Sequence, residues 1–118
     1  MKRKIITITD NGNITVPVET KMSIPEIADL FGIFYQTAKR HIRSIEKSGI
    51  AEGDYSMTCR AEGVKVYPVY YGLEMIIAVA FRVQSPEAEM LRRWLSRRIT
   101  ASRVPRTIML SLQNPMLN

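Results

Sequence analysis

The chain is poor in residues that build cross-links and metal cages. Cys59 is its one cysteine and His41 its one histidine, which excludes an internal disulfide and any cysteine-based metal cluster, and suits a reducing cytoplasm. Long apolar runs are missing too. The longest, Met75 to Phe81, falls far short of the roughly 20 residues that cross a bilayer, so no membrane association is expected. Behind Met1, Lys2, Arg3 and Lys4 the chain alternates Ile with Thr instead of entering the apolar stretch of a secretion signal. There is no glycine-rich phosphate loop and no spaced set of metal ligands. His41 and Cys59 fall on different expected elements, so they form no nucleophile and base pair. The reading is of a protein that is not an enzyme: no catalytic residue, no metal, no cofactor.

What remains is an ordinary globular composition with an excess of positive charge. Hydrophobic residues make up 46% and charged residues 24% of the 118 positions, which argues for one folded domain rather than a disordered chain. Lys and Arg number 17 against 11 acids, a net charge of +6, which favours a polyanionic partner, nucleic acid first and an anionic membrane surface second. The sequence contains no internal repeat, low-complexity tract or clear linker.

The stretch from Ser23 to Lys47 carries the most information. Ser23 and Glu26 have capping-box spacing, so a helix is expected from about Ile24, with Ile24, Ile27, Ala28, Leu30 and Phe31 on its apolar side. Gly32 supplies the positive-φ stop. A second helix follows from about Tyr35 to Lys47, with Ala38, Ile42 and Ile45 as a narrow apolar stripe and basic residues elsewhere. Two short helices joined by a glycine turn fit a helix-turn-helix, in which the second helix enters the major groove. On that reading Tyr35, Gln36, Thr37 and Arg40 face base edges, and Lys39, Arg43 and Lys47 face phosphates. The same pattern also describes a helical hairpin with a solvated basic face.

Hairpins are expected on either side of this pair. Across residues 1–20, a loop of Asn11, Gly12 and Asn13 pairs Ile8 with Val16 and Ile6 with Val18, gathering the apolar side chains on one face. Across residues 55–70, a turn at Glu62 and Gly63 pairs Cys59 with Val66 and Met57 with Pro68, and sets Arg60 opposite Lys65 at the tip. A hairpin behind a recognition helix reads as a wing whose Arg60 and Lys65 reach phosphates, or whose tip simply diverges into solvent.

Residues 72–100 read as two helices completing the core. Gly72 to Phe81 is apolar nearly all round, hence buried. Ser85, Pro86 and Glu87 are an N-terminal helix signal, with Ala88, Leu91, Trp94, Leu95 and Ile99 as the apolar stripe and Glu89 spaced to pair with Arg92 or Arg93. Arg92, Arg93, Arg97, Arg98, Arg103 and Arg106 make this half basic, as a second phosphate face or a solvated one. Residues 101–118 could be strand, helical turn or an arm on a neighbouring subunit.

The blocks EIADLFGIFYQTAKRHIRSI, from Glu26 to Ile45, and YYGLEMIIAVAFRVQSPEAEMLRRWLSRRI, from Tyr70 to Ile99, resemble the RhuM-type virulence-associated family of bacteria, which is similar to the amino-terminal domains of phage antirepressors and Bro-type proteins. The resemblance implies a winged helix-turn-helix-like DNA-binding module in a bacterial cytoplasm, often encoded with mobile elements, with Gln36, Thr37, Lys39, Arg40 and His41 in the matching motif. Family members run on past the second block, and nothing of that distal region is carried over. The combined expectation is an α+β domain, a winged helix-turn-helix with an N-terminal β-hairpin and two C-terminal core helices. Its expected partners are double-stranded DNA and a second copy of the chain, as a homodimer in transcriptional regulation. The alternative is a module that grips a regulatory protein partner with the same helix pair.

Overall fold

A computed structural model describes residues 3–101. It is a small α+β domain of four helices, α1 (Ile24–Phe31), α2 (Tyr35–Ser48), α3 (Leu73–Ala80) and α4 (Pro86–Ala101), with six short strands in three antiparallel two-stranded sheets. The helices form as their local signals require. Glu26 N–H donates to Ser23 Oγ at 3.4 Å while Ser23 N–H donates to Glu26 Oε1 at 2.8 Å, so both halves of the capping box are made. Gly32 ends α1 at φ 63°, and Ile33 N–H returns to the Ala28 carbonyl at 3.0 Å. Ser85 starts α4, its Oγ accepting from Ala88 N–H at 3.1 Å.

The core is the meeting of the four apolar stripes. Ile27, Phe31, Ala38, Ile42, Ile45, Met75, Ile76, Val79, Ala88 and Leu91 are all fully buried, with α3 packed between α2 and α4. Trp94, expected in the apolar stripe of α4, is only partly buried and flanks this cluster. Ala28 and Ala38 keep the α1–α2 contact free of bulk.

Both hairpins form, each in a register different from the expected one. β1 (Thr7–Ile8) pairs with β2 (Ile14–Thr15), so Ile8 faces Ile14, not Val16. The loop is Asp10, Asn11 and Gly12, closed by Gly12 N–H to the Thr9 carbonyl at 2.9 Å, with Gly12 at φ 84°. Ile6 is buried as expected, but Val18 is 90% exposed, outside the apolar face assigned to it. β4 (Cys59–Glu62) pairs with β5 (Lys65–Pro68) through a turn at Gly63 and Val64, so Cys59 faces Pro68 and Glu62 faces Lys65. Arg60 lies opposite Tyr67 instead of Lys65. The expected like-charge pair at the tip is thereby replaced by an opposite-charge pair.

A third pairing joins β3 (Met22–Ser23) to β6 (Tyr70–Tyr71), bringing the approach to α1 beside the approach to α3. Arg3 reinforces it. Its guanidinium pairs with Glu26, donates to the Lys21 carbonyl at 3.3 Å, and lies 4.4 Å from the Tyr70 ring centroid. Among the described residues no helix is long and apolar enough to cross a membrane.

Candidate nucleic-acid interface

Burial of Ala38, Ile42 and Ile45 fixes the rotation of α2, and with it the direction of every other side chain on the helix. Gln36, Arg40, Ser44 and Lys47 follow one another at helical spacing along its exposed edge. Of the four residues expected at base edges, Gln36 and Arg40 are on this edge. Tyr35 is turned to one flank, 37% exposed, where it lines a cleft with Arg43, Arg60, Glu62 and Tyr67. Thr37 is half-buried. Phe34, the N-cap, has an extended backbone, provides no side-chain acceptor, and is 85% exposed.

The other flank of α2 meets the end of α3. Arg82 donates to Ser44 Oγ at 3.0 Å, adding a cation beside the edge that the sequence pattern did not single out. Its only local signal is its place just after the apolar run of α3. Partial burial, then Arg40 and Arg82, lower the pKa of His41 and favour a neutral imidazole.

Lys39 and Arg43, expected on phosphates, are turned to the β4–β5 hairpin. Lys39 Nζ lies 3.5 Å from Glu62 Oε1 and Arg43 Nη1 3.4 Å from Glu62 Oε2. The Arg43 guanidinium also stacks on Tyr67, 3.4 Å from the ring centroid. Its Nε is buried with no hydrogen-bond partner. Burial works most strongly against the Arg43 charge, but the hydrogen bond and charge of Glu62, with Tyr71 and Tyr67, together outweigh it and raise the pKa, while Arg43 holds the Glu62 carboxyl below its ordinary value. The hairpin therefore turns toward α2 the side carrying Glu62 and Tyr67, not the Cys59 and Val66 side expected inside. Val66 is 56% exposed. The reason is chemical: an aromatic ring and a carboxylate match the basic flank of α2 better than aliphatic groups do.

Arg60 and Lys65 are exposed on the hairpin, and Lys47 is exposed near the far end of α2, where it shares a surface hollow with Lys65. The cleft between α2 and the hairpin, about 230 Å³, is below the usual size of a small-molecule site. The surface is thus an exposed helix edge with charged flanks beside a small cleft.

The arginines of α4 do not form one face. Arg92 donates to the carbonyls of Ala80 and Val83 at 2.5 and 2.9 Å, closing the end of α3. Arg93 pairs with Glu89 at 2.7 Å, one of the two expected partners. Arg98 lies 4.8 Å from the Trp94 ring centroid, and Arg97 is exposed. Arg103, Arg106 and the rest of the expected tail lie outside the described residues.

Cys59 is half-buried, its thiol directed at the carbonyls of Tyr55 and Met57 at 3.7 and 3.6 Å. Among the described residues no group of three or more His, Cys, Asp or Glu is placed to hold a metal ion. No family model, curated protein or solved structure matches the chain.

Proposed function

We propose that the chain binds double-stranded DNA, with α2 as the recognition helix of a winged helix-turn-helix and the β4–β5 hairpin as its wing. The observation that carries this reading is the α2 edge, where Gln36 and Arg40 project free of both the core and the hairpin. These two residue types make bidentate contacts with adenine and guanine, respectively. Lys47, Arg60 and Lys65 are the phosphate contacts in this arrangement, and the net charge of +6 supplies the attraction that precedes them. The resemblance to RhuM-type proteins adds the context: a transcriptional regulator of a mobile element in a bacterial cytoplasm, acting as a homodimer.

Fluorescence anisotropy with a labelled random-sequence duplex, repeated over a range of salt, tests this. Log affinity falls linearly with log salt, and Lys47→Ala/Lys65→Ala reduces the slope by up to about 1.8, at ~0.9 for each phosphate no longer neutralised. Against a selected site, Gln36→Ala relaxes the choice at one base pair by about 1–3 kcal/mol. Absence of binding at low salt overturns the reading.

A second reading is favoured by one feature: the exposed Phe34 at the start of α2. A regulatory protein gripping that ring and Tyr35 gives salt-insensitive binding to protein and negligible affinity for DNA.

A further inference from the structure

We infer that Glu62 occupies, with its carboxylate, a seat for a backbone phosphate of the nucleic acid, so that duplex binding proceeds by displacing it. The inference rests on the DNA-binding reading. The seat has two cations, Lys39 and Arg43, from successive turns of α2, and its present anion comes from the hairpin that flanks the same helix. Arg60, two residues before Glu62 on the same side of β4, also lines the cleft.

Three observations mark this contact as one that an incoming anion can displace. The two separations, 3.5 and 3.4 Å, are long beside the 2.7–2.9 Å or so of a charge-assisted hydrogen bond. Lys21–Asp54, by contrast, closes to 2.6 Å. The Glu62 side chain is also 36% exposed, a setting in which ion pairs hold weakly against water and competing anions. Finally, the Arg43 guanidinium is also held by the Tyr67 ring, and its buried Nε has no hydrogen-bond partner. A phosphodiester entering the seat finds one cation already oriented and brings oxygens to a donor that Glu62 leaves unused. The hairpin tip then swings clear or stays beside the phosphate, but its carboxylate gives way.

The test titrates wild type, Glu62→Gln, Lys39→Met and the Lys39→Met/Glu62→Gln double variant into one labelled duplex over a range of salt, with thermal melts to establish that each is folded. Glu62→Gln binds about ten-fold tighter near 0.1 M salt at nearly the wild-type log–log slope, because the seat no longer has to be emptied while the same cations meet the same phosphate. Lys39→Met in the same background removes most of that gain and lowers the slope by up to ~0.9, one phosphate's share. If wild type binds and Glu62→Gln binds no tighter, the displacement role is overturned and the DNA-binding reading stands. If neither binds at low salt, both are overturned.

Discussion

At Gly53 an added Cβ would lie 2.1 Å from Pro68 Cγ and 2.8 Å from Tyr71 Cε1, inside any permissible contact. The exit from α2 runs so close beneath the base of the hairpin that only hydrogen fits. Gly53→Ala is expected to cost about 1–3 kcal/mol through forced repacking, read from a lower urea midpoint at unchanged slope. The neighbouring Asp54 makes a pH prediction. The hydrogen bond from Lys21, then those from Ser56, lower its pKa from 3.8 to about 2. A carboxyl depressed on folding stabilises the fold above its ordinary pKa and loses that contribution as pH falls toward the folded value. Urea midpoints should therefore fall between about pH 4 and pH 2, and Asp54→Asn should flatten that decline; an identical profile in the variant would show that other carboxylates carry it. The sequence revealed the Ser23 and Glu26 box because its partners are three residues apart. It did not reveal the capture of Lys39 and Arg43, because Glu62 lies 23 and 19 residues away along the chain, beyond any local pattern.

The elements show where pattern stops deciding. Alternation along a strand has period two, so sliding a pairing by two residues leaves every side chain on its own face. Ile8 with Val16 and Ile8 with Ile14 satisfy the same hydrophobic pattern. Turn chemistry makes the choice: Gly12 closes a three-residue loop as its positive-φ member, and Gly63, at φ 65°, stands first in a two-residue turn. Helices α1 and α2 were legible because a glycine stop and a 3.6-residue stripe specify both their rotation and their ends. The cap on α3 was not. α3 has no basic residue in its last turn, and the donor that closes it, Arg92, belongs to the next helix, where its neighbours in sequence suggest a phosphate face instead. Arg92→Ala is expected to leave the Ala80 and Val83 carbonyls short of a donor and to destabilise the protein by about 1–3 kcal/mol. Affinity for DNA, measured at a temperature where the variant is folded, should be unchanged.

For the whole molecule, the helices and their common core were readable from periodicity, whereas the site was readable only in part. Gln36 and Arg40 stand on the expected edge; Tyr35, Lys39 and Arg43 were drawn to a hairpin whose polar face, not its apolar one, is turned to the helix. A homodimer on DNA carries a further expectation: duplexes holding two half-sites about 34 Å apart, centre to centre, are bound more tightly than duplexes holding one. Equal affinity for the two would favour a monomer. The β3–β6 rung has a different kind of consequence. Met22 faces Tyr71 across it, so the chain enters and leaves the stretch containing α1, α2 and the β4–β5 hairpin side by side. In mechanical terms, tension applied at the two ends of the described chain passes across this rung and leaves the stretch between its strands slack until the rung parts.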